Sequence, residues 1–323
     1  MPAMTRRALL AGTALTAAAN GLPKAAAAKA PAAGKQAAGI YRSKIGEFEL
    51  TAIYDGIWNR PIDQQFVRNA PFEEVERALA DSFLPSDTLP TPFTPLLVNT
   101  GSKLVLLDTG SGGQIAPTAG TMLANLTAAG IDPKSIDAIV ISHFHPDHIN
   151  GIKTKDGELT FANAEILVPA PEWAYWMDDA GLGTATERLK GNFLNVRRVF
   201  ADIAKAVRRY EPGEELAPGI SAIAAYGHTP GHMAFAIASG NHGMLVLSDT
   251  SFQPSLFARH PEWQPVFDMD GSMAVATRKK LLDRAAADRM LVQGYHFPFP
   301  ASGYIARDAK GYNFVPVMWQ ASL

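Results

Sequence analysis

The 323-residue chain contains no cysteine. That absence excludes a disulfide framework, a thiolate nucleophile and any cysteine metal site. A bound metal would have to rest on imidazole and carboxylate, a ligand set that suits Zn, Mn, Fe or Co. Histidine is scarce too, with eight residues in all. An excess of positive charge is also lacking, since 29 Lys+Arg face 31 Asp+Glu. No basic surface of the kind that neutralises nucleic-acid phosphates is therefore expected. No apolar run is long enough for a stable membrane span. What the chain does have is 47% apolar content, sufficient for a substantial core.

The first 39 residues differ from the rest. "MPAMTRRALLAGTALTAAANG" carries Arg6-Arg7 ahead of a short apolar run, and an Ala-rich stretch follows. The pattern resembles a twin-arginine export signal, which predicts an exported, periplasmic protein. Removing residues 1–39 takes away five positive charges and no negative ones, leaving 24 against 31 and a formal charge of −7. No linker-like composition interrupts the remainder, so residues 40–323 are expected to form one domain.

Within it, apolar runs predict strands at 47–56, 94–101, 103–110, 137–142 and 164–170, with a helix over 116–130. A longer amphipathic helix or helix pair is expected over 184–210, interrupted near Gly191. A second set of strands is expected at 219–227, 232–239, 243–249, 289–296 and 312–319, with an intervening helix capped by Ser272 and ending near Arg284–Ala287. Two mixed sheets packed face to face, with helices outside, would bury all of these runs. Strand direction does not follow from the pattern.

Polar residues gather where apolar runs stop. Asp108 follows "LVLL", His143 follows "AIVIS", His228 follows "AIAAYG", Asp249 follows "MLVLS" and His296 follows "MLVQGY". Strand-end loops are where binding and catalytic groups sit on a rigid scaffold. The densest case is "SHFHPDHING", residues 142–151, with three His and one Asp in six positions. His143 and His145 are two apart and point to one side in an extended segment. Pro146 then breaks the run, and Asp147-His148 turn toward a neighbouring point. One loop can thus offer two imidazoles to one metal and a carboxylate plus an imidazole to a second. Two metals about 3.5–4 Å apart can share a hydroxide nucleophile at neutral pH.

"HFHPDH", "LLDTG" and "GHTPGH", in that order, resemble the signature of the metallo-β-lactamase superfamily. The resemblance spans roughly residues 40–320 and implies an α/β fold of αββα sandwich type, with metals at one edge of the sheets. It implies that His143, His145 and His228 bind one of two divalent ions, zinc in the first instance. Asp147, His148 and His296 would bind the other, with Asp249 bridging and Asp108 supporting the ligand loop. Asp249, Asp147 and His148 would carry the catalysis.

"LLVNTGSKLVLLDTG" and "KGYNFVPV" further resemble the methyl parathion hydrolase group, exported dinuclear zinc enzymes whose relatives include lactonases. In that resemblance Trp176 and Phe193 line the leaving-group pocket, and Ile115 stands where a third aromatic would complete it. Hydrolysis of a small neutral ester is expected, an organophosphate triester first and an N-acyl homoserine lactone or other lactone as the alternative. No Lys or Arg adjoins the motifs, so no clamp for a charged phosphate is expected. A β-lactamase, a thioesterase and a non-catalytic metal-binding protein are weaker readings. The first often uses the Cys that is missing here, the second lacks a basic region, and a non-catalytic site usually closes its coordination. A homodimer is left open.

Overall fold

The structure, a computed structural model, describes residues 32–323. The twin-arginine segment lies outside the described residues. Ile40–Ile45 (β1) and Phe48–Ile53 (β2) form a hairpin, and Gly56–Pro61 (β3) pairs only with Thr88–Phe93 (β4). Leu96–Asn99 (β5), Leu104–Leu107 (β6), Ala138–Val140 (β7), Glu165–Pro169 (β8) and Arg208–Tyr210 (β9) complete a seven-stranded sheet, ordered β1-β2-β5-β6-β7-β8-β9. A second seven-stranded sheet contains Glu215–Ala217 (β10), Ile220–Ala224 (β11), Met233–Ser239 (β12), His242–Ser248 (β13), Leu291–Gly294 (β14), Ser302–Arg307 (β15) and Tyr312–Pro316 (β16), adjacent in chain order.

Alternation along the strands sets the layers. Leu96 and Val98 of β5, with Val105 and Leu107 of β6, meet Phe235, Ile237, Met244 and Val246 of the other sheet in a shared central core. Their neighbours Leu97 and Leu106 face outward beneath the helices Met122–Ala128 and Glu187–Phe200. On the opposite side Leu245 and Leu247 of β13 pack against Leu281, Leu282 and Ala285 of the helix Gly271–Ala287. This is an αββα sandwich. Ala37–Leu323 form one compact unit, and no described helix is long and apolar enough to cross a membrane.

Direction, which the sequence pattern left open, is mixed. The β6–β7, β7–β8, β8–β9 and β13–β14 pairs are parallel, and every other pair is antiparallel. Strands β1, β3, β4, β9, β10 and β15 were not anticipated. The β3–β4 pair contains Pro61, Pro90 and Pro92, which suit a two-stranded ribbon rather than a sheet interior.

Three helix expectations need correction. The helix expected over 116–130 spans only Met122–Ala128, because the Asp55 carbonyl holds the amides of Gly120 and Thr121 at 2.6 and 2.8 Å and its carboxylate takes that of Met122. The helix Glu187–Phe200 runs through Gly191 without a break and stops ten residues before Tyr210. Asp270 rather than Ser272 caps Gly271–Ala287, its carboxylate accepting from the Met273 amide at 2.9 Å.

The end of β6 and the loop after β7 are tied closely together. Thr109 donates to the His148 carbonyl through its amide at 2.9 Å and its hydroxyl at 2.7 Å. Gly151 lies flat against Thr109, where a Cβ would collide with the Thr109 carbonyl oxygen. A Gly151→Ala substitution should therefore destabilise the fold by about 1–3 kcal/mol, the usual penalty for overpacking. It should also lower the metal retained per chain. Denaturant unfolding and elemental analysis check the two effects.

Candidate metal centre

Five of the strand-end segments meet at one edge of the sandwich. The ligand atoms of His143, His145, His228 and Asp249 lie within 4.8 Å of one another, as do those of Asp147, His148 and His296. The two groups adjoin. Asp249 Oδ1 is 3.3 Å from His148 Nε2, while its Oδ2 is 3.3 Å from His228 Nε2 and 3.0 Å from His296 Nε2. Asp249 thus sits between both groups, where the resemblance places a bridging ligand.

Hydrogen bonds behind the cluster decide which nitrogen of each ring faces inward. His148 Nδ1 is 2.8 Å from Asp108 Oδ2, His228 Nδ1 is 2.9 Å from Asp268 Oδ1, and His296 Nδ1 is 2.9 Å from the Pro92 carbonyl oxygen. Each of these partners accepts, so each Nδ1 carries the proton and each neutral ring turns a bare Nε2 lone pair into the site. His143 Nε2 and His228 Nε2 converge on His145 Nδ1 at 2.9 and 3.0 Å. His148 Nε2 and Asp249 Oδ1 are buried without any hydrogen-bond partner. Orphaned acceptors that converge in a buried site are costly unless a cation stands among them. The seven side chains therefore fit two metal ions, and the His and carboxylate donors suit zinc, manganese, iron or cobalt.

Electrostatics lead to the same conclusion. Burial and neighbouring imidazoles push His143 well below its ordinary value, and burial with His228 brings His145 down to about 3. Burial opposes a charge on His148 as well, but Asp249, Asp147 and Asp108 outweigh it and raise its pKa. At His228 burial is likewise overcome, by Asp249 and Asp268, and the pKa rises to about 9. Burial would raise Asp249, yet His296 and His148 hold it well below the usual carboxylate range. With no metal the carboxylates draw protons onto two imidazoles. Divalent ions would take the place of those protons.

A layer behind the ligands holds them in place. Asp108 receives the Ser142 amide and hydroxyl, both at 2.8 Å, in addition to His148. His232 donates to the Ala225 carbonyl at 2.8 Å, and its Nε2 accepts from the Asp249 amide at 3.1 Å. Two members of this layer escaped sequence reading. Fully buried Glu172 accepts from the amides of Phe144 and Gly231 at 3.0 and 2.7 Å, tying the two histidine loops together. Asp268 joins His228 to the buried guanidinium of Arg278, 2.9 Å from its Oδ2. The only sequence signal for Glu172 is an acid inside the apolar run "VPAPEWAYW". Asp268, in "FDMDGS", has none.

A cavity of about 500 Å³ opens over the cluster. Ile115 lines it as expected, but Trp176 and Phe193 do not. Both are buried in the core beneath the first sheet, with ring centroids 4.9 Å apart, and Trp176 Nε1 donates to Glu172 at 2.8 Å. The aromatic wall comes instead from Trp58, Phe93, Phe252 and Phe267. Gly191 also faces the cavity, where a Cβ would meet only open space. The expectation that the site has no cationic neighbour also fails, since Arg60 and Arg188 line the same cavity. Both come from segments distant in sequence from every motif.

The sequence profile of the metallo-beta-lactamase superfamily matches residues 94–296, which include all seven cluster residues. The chain belongs to this superfamily. Like the superfamily's other hydrolases, it is a metal-dependent hydrolase. It is 25% identical to an N-acyl homoserine lactonase of a Bacillus species over 231 residues, 64% of this chain and 82% of the relative. Among solved structures it is similar to AidC, a dizinc quorum-quenching lactonase determined with a product bound, at 29% identity and a TM-score of 0.82 over 87% of this chain and 98% of that one. It is also similar to the hydrolase AbOPH of the beta lactamase superfamily, at 27% identity and a TM-score of 0.82 over 88% of this chain and all 100% of that one.

Asp268→Asn keeps an acceptor near His228 but removes the charge that holds its proton on Nδ1. Metal affinity or activity should fall about 10–100-fold, as for other partners of ligating histidines. Elemental analysis after dialysis against a graded chelator series measures the loss.

Proposed function

We propose that this chain hydrolyses lactones, with N-acyl homoserine lactones as the substrate class, by means of two zinc ions held by the clustered side chains. The observation that carries the reading is the convergence of bare imidazole and carboxylate lone pairs on the floor of a partly apolar cavity of about 500 Å³. The motif resemblance alone puts organophosphate triesters first. The similarity to lactonases, one of them dizinc, favours the lactone alternative.

His143, His145, His228 and Asp249 would hold one ion, and Asp147, His148 and His296, with Asp249 shared, the other. Two divalent ions held there would supply a water of lowered pKa and polarise the ester carbonyl. Trp58, Phe93, Phe252 and Phe267 enclose the apolar part of the substrate and keep bulk water away. Asp147 keeps 16% of its side chain exposed, against 3% or less for Asp249 and His148. It is the cluster's most open carboxylate, and it takes the proton of the attacking water and delivers it to the ring oxygen as the C–O bond breaks. The new hydroxyl stays on the carbonyl carbon, giving the ring-opened hydroxy acid.

The purified, zinc-loaded chain should open N-hexanoyl homoserine lactone faster than it cleaves a chromogenic aryl phosphotriester. Chelation should abolish both activities. Asp249→Ala should leave fewer than two metals per chain and lower turnover by about 100-fold or more, beyond the range for outer partners of ligands. Faster turnover of the phosphotriester would reverse the substrate assignment. Normal turnover by Asp249→Ala would remove its role.

A further inference from the structure

The cavity wall carries positive charge that the cluster does not use. Arg60, on β3, lies with Cζ 4.1 Å from the ring centroid of Phe267 and 5.3 Å from that of Trp58. Cation–π contact of this kind holds a guanidinium in place while leaving its N–H groups free to donate. Arg188, from the helix Glu187–Phe200, gives one Nη2 hydrogen bond to the Val266 carbonyl at 2.5 Å.

Nearby Arg68 provides a contrast, because its two Nη atoms are occupied by the Asp268 and Val266 carbonyls, both at 2.7 Å. Among the described residues, ion pairs to carboxylates are made by Arg42, Arg197, Arg208, Arg278, Arg284 and Arg307. Arg60 and Arg188 make none. Among the described residues, the carboxylates lining the cavity are Asp147 and Asp249, which belong to the cluster. Desolvation and the charge of Arg188 act against the cation at Arg60, and the more distant charge of Asp63 offsets them only in part. Two like charges thus stand beside a partly apolar cavity, and among the described residues neither has a carboxylate within ion-pair distance.

We propose that Arg60 and Arg188 form an anion subsite of the cavity, so that preferred substrates are lactones or esters carrying a carboxylate on the part remote from the bond that is cleaved. A planar carboxylate matches the donor fork of a guanidinium in two parallel hydrogen bonds, which a methyl-ended chain leaves unmade. The carboxylate is a spectator. Water still adds across the ester, its OH to the carbonyl carbon and its proton to the departing oxygen. The inference builds on the reading of the cluster as a hydrolytic centre, but it does not depend on the substrate being a lactone.

The test compares kcat/KM of the metal-loaded full chain for two matched pairs. One pair is an N-acyl homoserine lactone whose acyl chain ends in methyl or in carboxylate, and the other an aryl ester with the same two endings. The carboxylate member should be preferred by about tenfold or more in each pair that is hydrolysed, as expected for a charge-assisted pair of bonds. The preference should shrink as salt rises from about 0.05 to about 0.5 M. Arg60→Leu and Arg188→Gln should each depress the carboxylate member far more than its methyl partner, and Arg60→Lys should restore part of the preference. A wild-type chain that treats both members alike would overturn the subsite, as would variants that lower both in proportion. A preference seen with the aryl esters but no turnover of either lactone would keep the subsite and overturn the lactone reading.

Discussion

The centre of this molecule is built on a repulsion. Five imidazoles and two carboxylates crowd a largely buried space in which lone pairs outnumber the protons available to satisfy them. Such an arrangement is unfavourable on its own, because acceptors removed from water need a donor or a cation. The backbone loops cannot relax away from one another, since Glu172 receives amides from both the His143 and the His228 segments. Asp108, Asp268 and the Pro92 carbonyl fix the protons on the far side of three rings. The unfavourable geometry is held ready, and metal ions are what it is shaped to accept.

The sandwich makes that geometry possible by bringing chain ends from both sheets to one edge. Asp108 and His143 follow the parallel neighbours β6 and β7, and Asp249 and His296 follow the parallel neighbours β13 and β14. Parallel neighbours end at the same side of a sheet, so residues more than thirty positions apart become adjacent. The antiparallel strands extend the core that keeps these edges rigid.

Chemistry at the floor and selectivity at the walls have separate origins. The floor comes from four strand ends, with Asp108 of a fifth behind them, and carries the superfamily's metal-dependent hydrolysis. Much of the wall comes from the β3–β4 ribbon, the helix Glu187–Phe200 and the segment around Phe267, none of which supplies a ligand atom to the cluster. Substrate choice can therefore change with these elements while the metal-binding groups stay in place. Floor and walls meet at Pro92 of β4, whose carbonyl orients His296, and at Asp268, whose carboxylate orients His228 and whose carbonyl holds Arg68.

The sequence by itself determined the ligand types and their spacing. With cysteine absent, "HFHPDH" and the strand-end His and Asp were the chain's remaining means of holding metal, and short apolar runs that stop at ionisable residues are a local pattern. Two sheets with outer helices were legible for the same reason, since alternation and amphipathic period are written within a few residues. Strand direction, the β3–β4 ribbon and the cavity wall depended on contacts between segments far apart. Trp176 and Phe193 show the limit. Aromatic residues suit a core as well as a pocket, and only the packing of Glu172 beneath Trp176 decided for the core. Arg60 and Arg188 show the converse, since a charge enters a site only when the fold carries its segment there. Covalent neighbours specify which groups exist, and the tertiary structure specifies which of them share a volume.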